Sequence, residues 1–480
     1  MIRIVVFVLL AQSFIPPAHA QEAPRFDLQV AIADGPPLTA DEAAERASAA
    51  SPGLERAEAL SRASEAAVSQ ARAAMLPRLE LSARYTRVGG FPDGEISLGG
   101  DPEALAAARS LAETLDDPAA RALWLGSLDN QGGSVAFTIP RDQYGLSARL
   151  TWPVSDLFFA MLPALEAAES AVEAREAARE VADATVRLRA REAYFQLARA
   201  RGGFAVAEQS ARQAVAQRDQ IASGVDAGVL TEADRMAAEA RVATAESAVA
   251  SARAGVEMAD AALRMLMGLD PGPAHGVVEP LFETSPAPGP LAPRLERAVE
   301  ARPEVRSLRA GLATQRAAGR AIDAQGYPHL GLYAGADVGA PNRYVIPPNS
   351  DPQPSWEVGA MISWSPNDTL NAVHAGEASR AQQAETEARL VELERGVRLE
   401  VQQADSRARA ALAASESGAR AVTAAEAAYA SRLAQLRAGQ TTTAALFAAE
   451  GELNRARLNR LDAAVQLRLA LAQLRRASGE

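Results

Sequence analysis

Histidine and cysteine are the residue types that most often indicate a metal site, a nucleophile or a catalytic base in a sequence. The sequence has no cysteine and only four histidines, and no histidine has a second one four residues away, the spacing of a helical metal site. The histidines lie in four separate stretches, at positions His19, His275, His329 and His374. The chain also lacks the glycine-rich loops that bind nucleotide phosphates. The sequence therefore predicts no enzyme activity, no metal and no cofactor.

The charged residues point away from nucleic acid. The net charge is −11, and all 49 basic residues are arginines. Because phosphate binding requires a basic surface, this balance disfavours a nucleic-acid partner. Most acidic residues alternate with arginines along predicted helices, which is typical of a solvated surface.

A short motif recurs in both halves of the chain. An Ala-Gly pair is followed by threonine three residues after the glycine, and then by Ala-Ala-Glu. The glycines are Gly228 and Gly439, and the threonines are Thr231 and Thr442. A reversal from one helix to the next often requires positive φ, which glycine adopts without strain. We therefore expect a helix-to-helix turn at both places.

Long helices must position these turns. The sequence predicts helices over 156–223 and 372–436, because both stretches are rich in alanine, arginine and glutamate. Apolar residues recur seven apart, as in Val181, Leu188 and Phe195, which is the pattern of a coiled-coil seam. The first stretch would form a helix about 100 Å long and needs partners of similar length.

Four short segments alternate between apolar and polar residues, which predicts strands with one apolar face. The predicted strands cover about 78–88, 144–153, 329–338 and 356–364. Their length suits a tilted strand that crosses a membrane. Four strands cannot close a barrel alone, but several copies of the chain could close one. The alternative is an ordinary soluble sheet that caps a helical bundle.

The two halves have the same order of elements, which indicates an internal repeat. The first repeat is predicted over 21–285 and the second over 286–480, each with a helix, two strands, a long helix, a turn and a helix. The remaining predicted helices cover 38–77, 231–267, 292–326 and 442–476. A glycine-rich insert over 89–143, with one helical piece near 102–115, joins the first two strands.

The N-terminus has the features of a secretory signal peptide over residues 1–20. Arg3 precedes an apolar stretch, and the small-x-small sequence Ala18-His19-Ala20 precedes Gln21. We expect an exported mature protein without a transmembrane helix. The alternative is a buried N-terminal helix.

The signal sequence, the repeat and the paired motif A-G-x-x-T-x(5)-A-A-E resemble the TolC family of outer-membrane efflux proteins. The resemblance implies a mainly α fold with a small β part. Three chains, with four strands per chain, would form a 12-stranded barrel that continues as a periplasmic coiled-coil barrel of helices. It also implies a location in the outer membrane, contact with its lipid, and a periplasmic adaptor and an inner-membrane pump as partners.

By the same resemblance, the two turns are the periplasmic tips, where the duct narrows and partners dock. The predicted tip and gate residues are Gly228, Thr231, Glu232, Asp234, Gly439, Thr442 and Leu446. The family carries acidic residues there, but the second tip of this chain has Thr443 and Ala445 instead. The alternative is that Glu232 and Asp234 are solvated acids at a helix start, where the helix dipole favours them.

Aromatic residues of the strands are predicted at the membrane interface, where rings with one polar end are favoured. They are Tyr85, Trp152, Trp356 and Trp364. The leading hypothesis is a passive exit duct for small molecules. Type I protein secretion, a structural periplasmic coiled coil and an adaptor protein are the alternatives.

Overall fold

The computed structural model describes residues 26–90, 94–97, 101–129, 134–137, 140–345 and 350–479. The predicted signal peptide, residues 1–20, lies outside the described residues. The elements up to the first long helix are α1 (Leu28–Ile32), β1 (Pro37–Leu38), α2 (Ala40–Ala49), α3 (Pro52–Ala74), β2 (Arg78–Arg87), β3 (Gly94–Ser97), α4 (Pro102–Glu113), α5 (Pro118–Asp129), β4 (Ser134–Phe137), β5 (Asp142–Pro153), α6 (Val154–Asp156), a π-helical turn (Leu157–Met161) and α7 (Leu162–Asp226). The following elements are α8 (Glu232–Met267), β6 (Gly276–Val277), α9 (Leu291–Ala301), α10 (Pro303–Ala324), β7 (His329–Ala340), β8 (Gln353–Ser363), α11 (Pro366–Arg437) and α12 (Thr443–Ser478).

The chain forms two compact units, each built from separate segments. The helical unit comprises the described residues of Met1–Arg56, Glu180–Pro303 and Glu394–Glu480, and the sheet unit comprises those of Ala57–Arg179 and Glu304–Leu393. Each unit takes segments from both halves of the sequence, so the units are not the predicted repeats. The division into repeats over 21–285 and 286–480 stays a prediction.

The core of the helical unit packs helices through small side chains. Ala43, Ala44 and Ala47 of α2 are fully buried. Tyr194 of α7 is buried in the same core, and its hydroxyl donates a hydrogen bond of 2.9 Å to the carbonyl of Leu38. Small side chains let helices approach closely, which suits a chain with only 5% aromatic residues.

Two predicted helices that pass through a proline are each divided into two. Helix α2 ends before Pro52, which begins α3, and α9 ends before Pro303, which begins α10. Arg302 has an extended backbone, with φ −65° and ψ 127°. The ring of a following proline disfavours the helical conformation, whereas proline itself suits the first position of a helix. The predictions of continuous helices over 38–77 and 292–326 were therefore wrong.

Gly202 and Gly203 lie within α7 and do not end the helix. A Cβ atom at Gly202 would collide with the Leu461 side chain of α12. The glycine thus permits a close approach of two helices in the helical unit, and packing offsets its low helix propensity. At the start of this helix, the predicted boundary at Asp156 falls in α6, and regular α-helix begins at Leu162 after the π-helical turn.

The insert contains two helices rather than the predicted single piece. Asp101 caps α4 through a hydrogen bond of 3.0 Å from the amide of Glu103. Pro118 then begins α5, and Asp117 accepts a hydrogen bond of 3.0 Å from the amide of Ala119. A proline at the first helical position after a capping aspartate is a strong helix start. Beyond the helices, β3 and β4 form an antiparallel pair.

The main sheet of the sheet unit is four-stranded and antiparallel, with the strand order β2-β5-β7-β8. Among the described residues, β2 pairs only with β5, and β8 pairs only with β7. Both outer strands therefore have an edge that is not hydrogen-bonded to another described strand.

Among the helices of the described residues, none combines the length and the apolar character that a membrane span requires.

Candidate functional sites: the helix turns and the open sheet

The first helix turn lies between α7 and α8. Gly228 has φ +73°, as the sequence predicted for the reversal. The amide of Gly228 donates a hydrogen bond of 2.9 Å to the carbonyl of Val225. The amide of Val229 donates a hydrogen bond of 2.9 Å to the carbonyl of Gly224. These hydrogen bonds satisfy carbonyls at the end of α7, which a left-handed glycine makes possible.

Thr231 and Asp234 then cap α8 reciprocally. The amide of Asp234 donates to the Thr231 hydroxyl over 3.2 Å, and the amide of Thr231 donates to the Asp234 carboxylate over 3.0 Å. This arrangement is a capping box, in which two otherwise unpaired amides of the helix start are satisfied.

The second turn repeats the glycine but not the capping box. Gly439 has φ +69° between α11 and α12. The hydroxyl of Thr442 accepts a hydrogen bond of 3.3 Å from the amide of Ala445. Ala445 has no side-chain acceptor for the amide of Thr442, so the capping box is incomplete. The absence of an acid therefore weakens the cap of α12 relative to that of α8.

Asp234 links the two turns through Thr443. The Thr443 hydroxyl donates to the Asp234 carboxylate over 2.7 Å, and the Thr231 hydroxyl donates to it over 2.6 Å. Hydrogen bonds from the Thr231 hydroxyl, the Thr443 hydroxyl and the Thr231 amide, in that order of size, hold the pKa of Asp234 below its ordinary value. Asp234 therefore caps the start of α8 and, through Thr443, connects it to the start of α12.

The other two predicted gate residues have simpler surroundings. Glu232 accepts a hydrogen bond of 3.0 Å from Nε of Arg235, one helical turn away, at an exposed position. Leu446 of α12 is only 1% exposed. Its side chain is part of the packing of the helical unit, so a role as a gate residue stays a prediction.

A buried ion pair beyond the turns was not predicted. The Glu450 side chain is fully buried, and its carboxylate accepts from Arg241 over 2.8 Å. The same guanidinium lies 4.6 Å from the ring centroid of Phe447. Glu450 belongs to the repeated Ala-Ala-Glu motif, and its counterpart Glu239 is exposed. The repeated motif marks both glutamates in the sequence, but it does not predict that Glu450 is buried and Glu239 is exposed.

The histidines of the described residues lie in two hydrogen-bonded pairs and one exposed contact. His275 lies 2.7 Å from the buried carboxylate of Asp260, and His329 lies 2.6 Å from Asp156. Burial alone would raise the pKa of Asp260, but hydrogen bonds from His275 and Arg264 outweigh it and lower that pKa. Within the described ranges, no group of three histidine or carboxylate side chains could hold a metal ion.

One face of the sheet is apolar and exposed. The register brings apolar residues of all four strands into the same rows, as in the row of Leu81, Ala148, Ala336 and Trp356. Leu81 is 72% exposed, and Val358 in the next row is 72% exposed. An apolar patch that extends over four strands marks a surface that another apolar phase or partner covers.

The predicted interface aromatics lie at three levels of this face. Tyr85 pairs with Tyr144 at the end of β2 that leads into the insert, with ring centroids 5.4 Å apart. Trp152 lies near the opposite end, and Trp364 follows the last residue of β8. Trp356, in contrast, lies midway, in the row four residues from both Tyr144 and Trp152 along β5. Within its own strand, Trp356 is the fourth residue of β8, three residues from Gln353.

The opposite face is polar and carries ion pairs across strands. The Arg149 guanidinium of β5 lies 3.5 Å from Glu357 of β8 and extends past Gly335, which has no side chain to separate them. Arg343 lies 3.0 Å from the same glutamate and 3.5 Å from Asp337. The two faces thus differ in the way that the alternating sequence predicted.

Comparisons with known proteins support this architecture. The family model described as outer membrane efflux protein matches residues 105–269. No curated protein sequence matches the chain. The solved outer-membrane channel OprN is 21% identical with a TM-score of 0.69, and the match covers 92% of this chain and 89% of OprN.

Two further solved channels have similar scores. The CmeC outer membrane channel of Campylobacter jejuni is 12% identical with a TM-score of 0.70, over 92% of this chain and 85% of CmeC. The open state of the MtrE outer membrane channel of Neisseria gonorrhoeae is 18% identical with a TM-score of 0.67, over 92% of this chain and 88% of MtrE. The mainly α fold with a small β part, as in TolC-like channels, is therefore confirmed. Residues 105–269 are thus similar to the outer membrane efflux protein family, and the fold of the chain is similar to that of these solved channels.

Proposed function

We propose that the protein is the outer-membrane exit duct of a tripartite export system. Three copies close a 12-stranded barrel in the outer membrane, and their long helices continue it into the periplasm. The duct is passive and conducts small molecules that an inner-membrane pump delivers through a periplasmic adaptor. The outward-facing side of the barrel contacts lipid.

The observation that carries this proposal is the open sheet with one exposed apolar face. An isolated sheet of this kind would leave backbone groups of β2 and β8 unpaired in lipid, at a cost of several kcal/mol per group. Pairing β8 of one copy with β2 of the next satisfies both edges and repeats around a closed ring. The apolar face then meets lipid, and the polar face with its ion pairs surrounds a wet lumen.

The helix turns fit the periplasmic end of such a duct. Both turns are short, and each is fixed by a left-handed glycine and a threonine cap. We assign the adaptor contact to this end, with Gly228, Thr231, Gly439 and Thr442 shaping the tips. Glu232, Asp234 and Leu446 are the side chains through which these tips would narrow the duct.

Protein secretion of type I is the second candidate, since the same duct could serve a larger cargo. No contact in the described residues favours it over small-molecule export. A structural coiled coil without a barrel is less compatible with the exposed apolar sheet face, which would then be left in water.

Fractionation and conductance test the proposal together. The full-length protein should fractionate with the outer membrane, require detergent for extraction, and have the mass of a trimer by light scattering in detergent. After reconstitution in a planar bilayer it should conduct ions without nucleotide. A mature protein that stays monomeric in detergent-free buffer would overturn the proposal.

A further inference from the structure

The polar face of the sheet contains a hollow beside three arginines. The hollow has a volume of about 380 Å³, and its lining includes Arg84, Gly145, Ser147, Arg149 and Arg343. We call it the glycine hollow. Its position follows from the register, in which Arg84 lies opposite Gly145, and Gly145 lies opposite Gly339.

The glycines leave room next to Arg84. A Cβ atom placed on Gly145 would have no heavy atom within 4 Å, so the space above this residue is open. Gly339, on the next strand in the same row, likewise has no side chain. Two neighbouring strands therefore present bare backbone where the polar face would otherwise carry side chains.

The charges around the hollow are unequally paired. Glu357 is paired with Arg149 and Arg343, and Asp337 is paired with Arg343. Both carboxylates of the lining are thus neutralised by arginines. Arg84 is exposed and has no hydrogen-bond or ion-pair partner among the described residues. Among the lining side chains, three arginines thus face two carboxylates, and Glu80, opposite Arg149 in the register, lies outside the lining.

Further donors lie between Arg84 and Arg149. Two residues from Arg84 along β2, the hydroxyls of Ser82 and Ser147 lie 2.8 Å apart in adjacent strands. Two residues further along β5 comes Arg149, which makes only a single 3.5 Å contact with Glu357 and stays 56% exposed. The hollow thus has a guanidinium at each end and, in the middle, hydroxyl donors with the Arg343-paired Asp337 opposite Ser147.

We propose that the glycine hollow binds a dissolved oxyanion, either a carboxylate or a phosphate group of a small molecule. A guanidinium group binds two oxygens of a carboxylate or a phosphate through paired N–H···O hydrogen bonds. The site needs no metal, and each chain supplies one. As a consequence that rests on the proposed function, three such sites would line the lumen and favour the passage of anionic cargo.

Equilibrium dialysis of the full-length protein with radiolabelled inorganic pyrophosphate tests the binding directly. Wild type should bind about one pyrophosphate per chain. Arg84→Gln should weaken binding by about tenfold, which corresponds to losing a charged hydrogen bond. Because Arg84 is exposed and unpaired, this variant should fold normally.

Two further variants separate a built site from general charge. Gly145→Val fills the hollow without changing any charge and should also weaken binding by about tenfold. Arg78→Gln removes an arginine from the same strand and face but lies outside the hollow, so its affinity should change less than twofold. Equal losses in R84Q and R78Q, unchanged binding in G145V, or no binding by wild type would overturn the proposal.

A conductance measurement distinguishes this inference from the proposed function. Pyrophosphate should reduce the potassium current through wild-type channels, and R84Q should relieve the reduction. Intact binding by a protein that forms no channel would count against the exit duct and leave the binding site standing. Channels that conduct but bind no pyrophosphate would support the exit duct and overturn the binding site. Displacement of pyrophosphate by lipopolysaccharide but not by citrate would identify a lipid headgroup site and overturn the assignment to dissolved cargo.

Discussion

Thr443 donates its hydroxyl to Asp234 over 2.7 Å and so joins the starts of α12 and α8. In the pairing of the two repeats, Thr443 corresponds to Glu232, so the second repeat has a donor where the first has an acid. A second carboxylate at this position would repel Asp234. Thr443, which stands in place of an acid in the second turn, is therefore the residue that connects the two turns.

Removing this hydroxyl should loosen the tip. Thr443→Val keeps the size of the side chain but cannot donate, whereas Thr443→Ser keeps the donor. Because one partly exposed hydrogen bond to a charged group contributes about 1 kcal/mol, we expect the valine variant to raise open probability about fivefold in single-channel recordings. The serine variant should behave like wild type. Equal behaviour of the two variants would show that the hydroxyl does not hold the tip.

Acidification should weaken the hydrogen bond between Thr443 and Asp234 only at low pH. The Thr231 and Thr443 hydrogen bonds lower the pKa of Asp234, so the stabilisation is fully present above about pH 3.9, the ordinary pKa of aspartate. It is lost as the pH falls through the lower pKa of the folded state. Conductance recorded from pH 7 to pH 3 should therefore change only below about pH 3.9.

In T443V the acid step should move to higher pH, towards the ordinary aspartate value, because one of the lowering hydrogen bonds is gone. Asp234→Asn should abolish the step, since asparagine does not titrate. A step that persists in this variant would assign the acid response to another group.

The buried ion pair of α8 and α12 allows a matched comparison within the repeated motif. Arg241→Met leaves the fully buried Glu450 carboxylate without its 2.8 Å partner, which should lower the free energy of unfolding by about 3 kcal/mol. The double variant R241M/E450Q should recover part of this loss. Glu239→Gln, at the exposed counterpart of Glu450, should be neutral. Urea unfolding of the detergent-solubilised protein, followed by circular dichroism, measures all three variants.

Local sequence patterns predicted the turns and the strands because those elements depend on local chemistry. Gly228 and Gly439 have the positive φ that a helix reversal requires, and the alternation in β2 and β8 defines the two faces of the sheet. Long-range partners were not predictable in this way. Neither the Asp234–Thr443 hydrogen bond nor the burial of Glu450 follows from residue types, since each depends on the relative position of helices far apart in sequence.

The exposed apolar face predicts a strong asymmetry between substitutions on one strand. Val358→Arg places a charge on the apolar face of β8, where burial in lipid would cost about 2–4 kcal/mol near the bilayer midplane. Ser355→Arg places the same side chain on the polar face of that strand. We expect V358R to reduce the amount of trimer in the outer-membrane fraction several-fold, and S355R to leave it unchanged. Equal effects of both variants would contradict a lipid-facing sheet.

The position of Trp356 predicts the depth of this residue in the bilayer. It shares its row with Ala336, midway between the rows of Tyr144 and Trp152, whereas Trp364 lies beyond the end of β8. Variants that keep a single one of the four tryptophans allow depth to be measured by fluorescence quenching with brominated lipids. Bromines near the bilayer centre should quench Trp356 most strongly, and bromines near the headgroups should quench Trp364. Strong headgroup quenching of Trp356 would mean that the barrel is shifted along its axis, because the strand register fixes the spacing between the two residues.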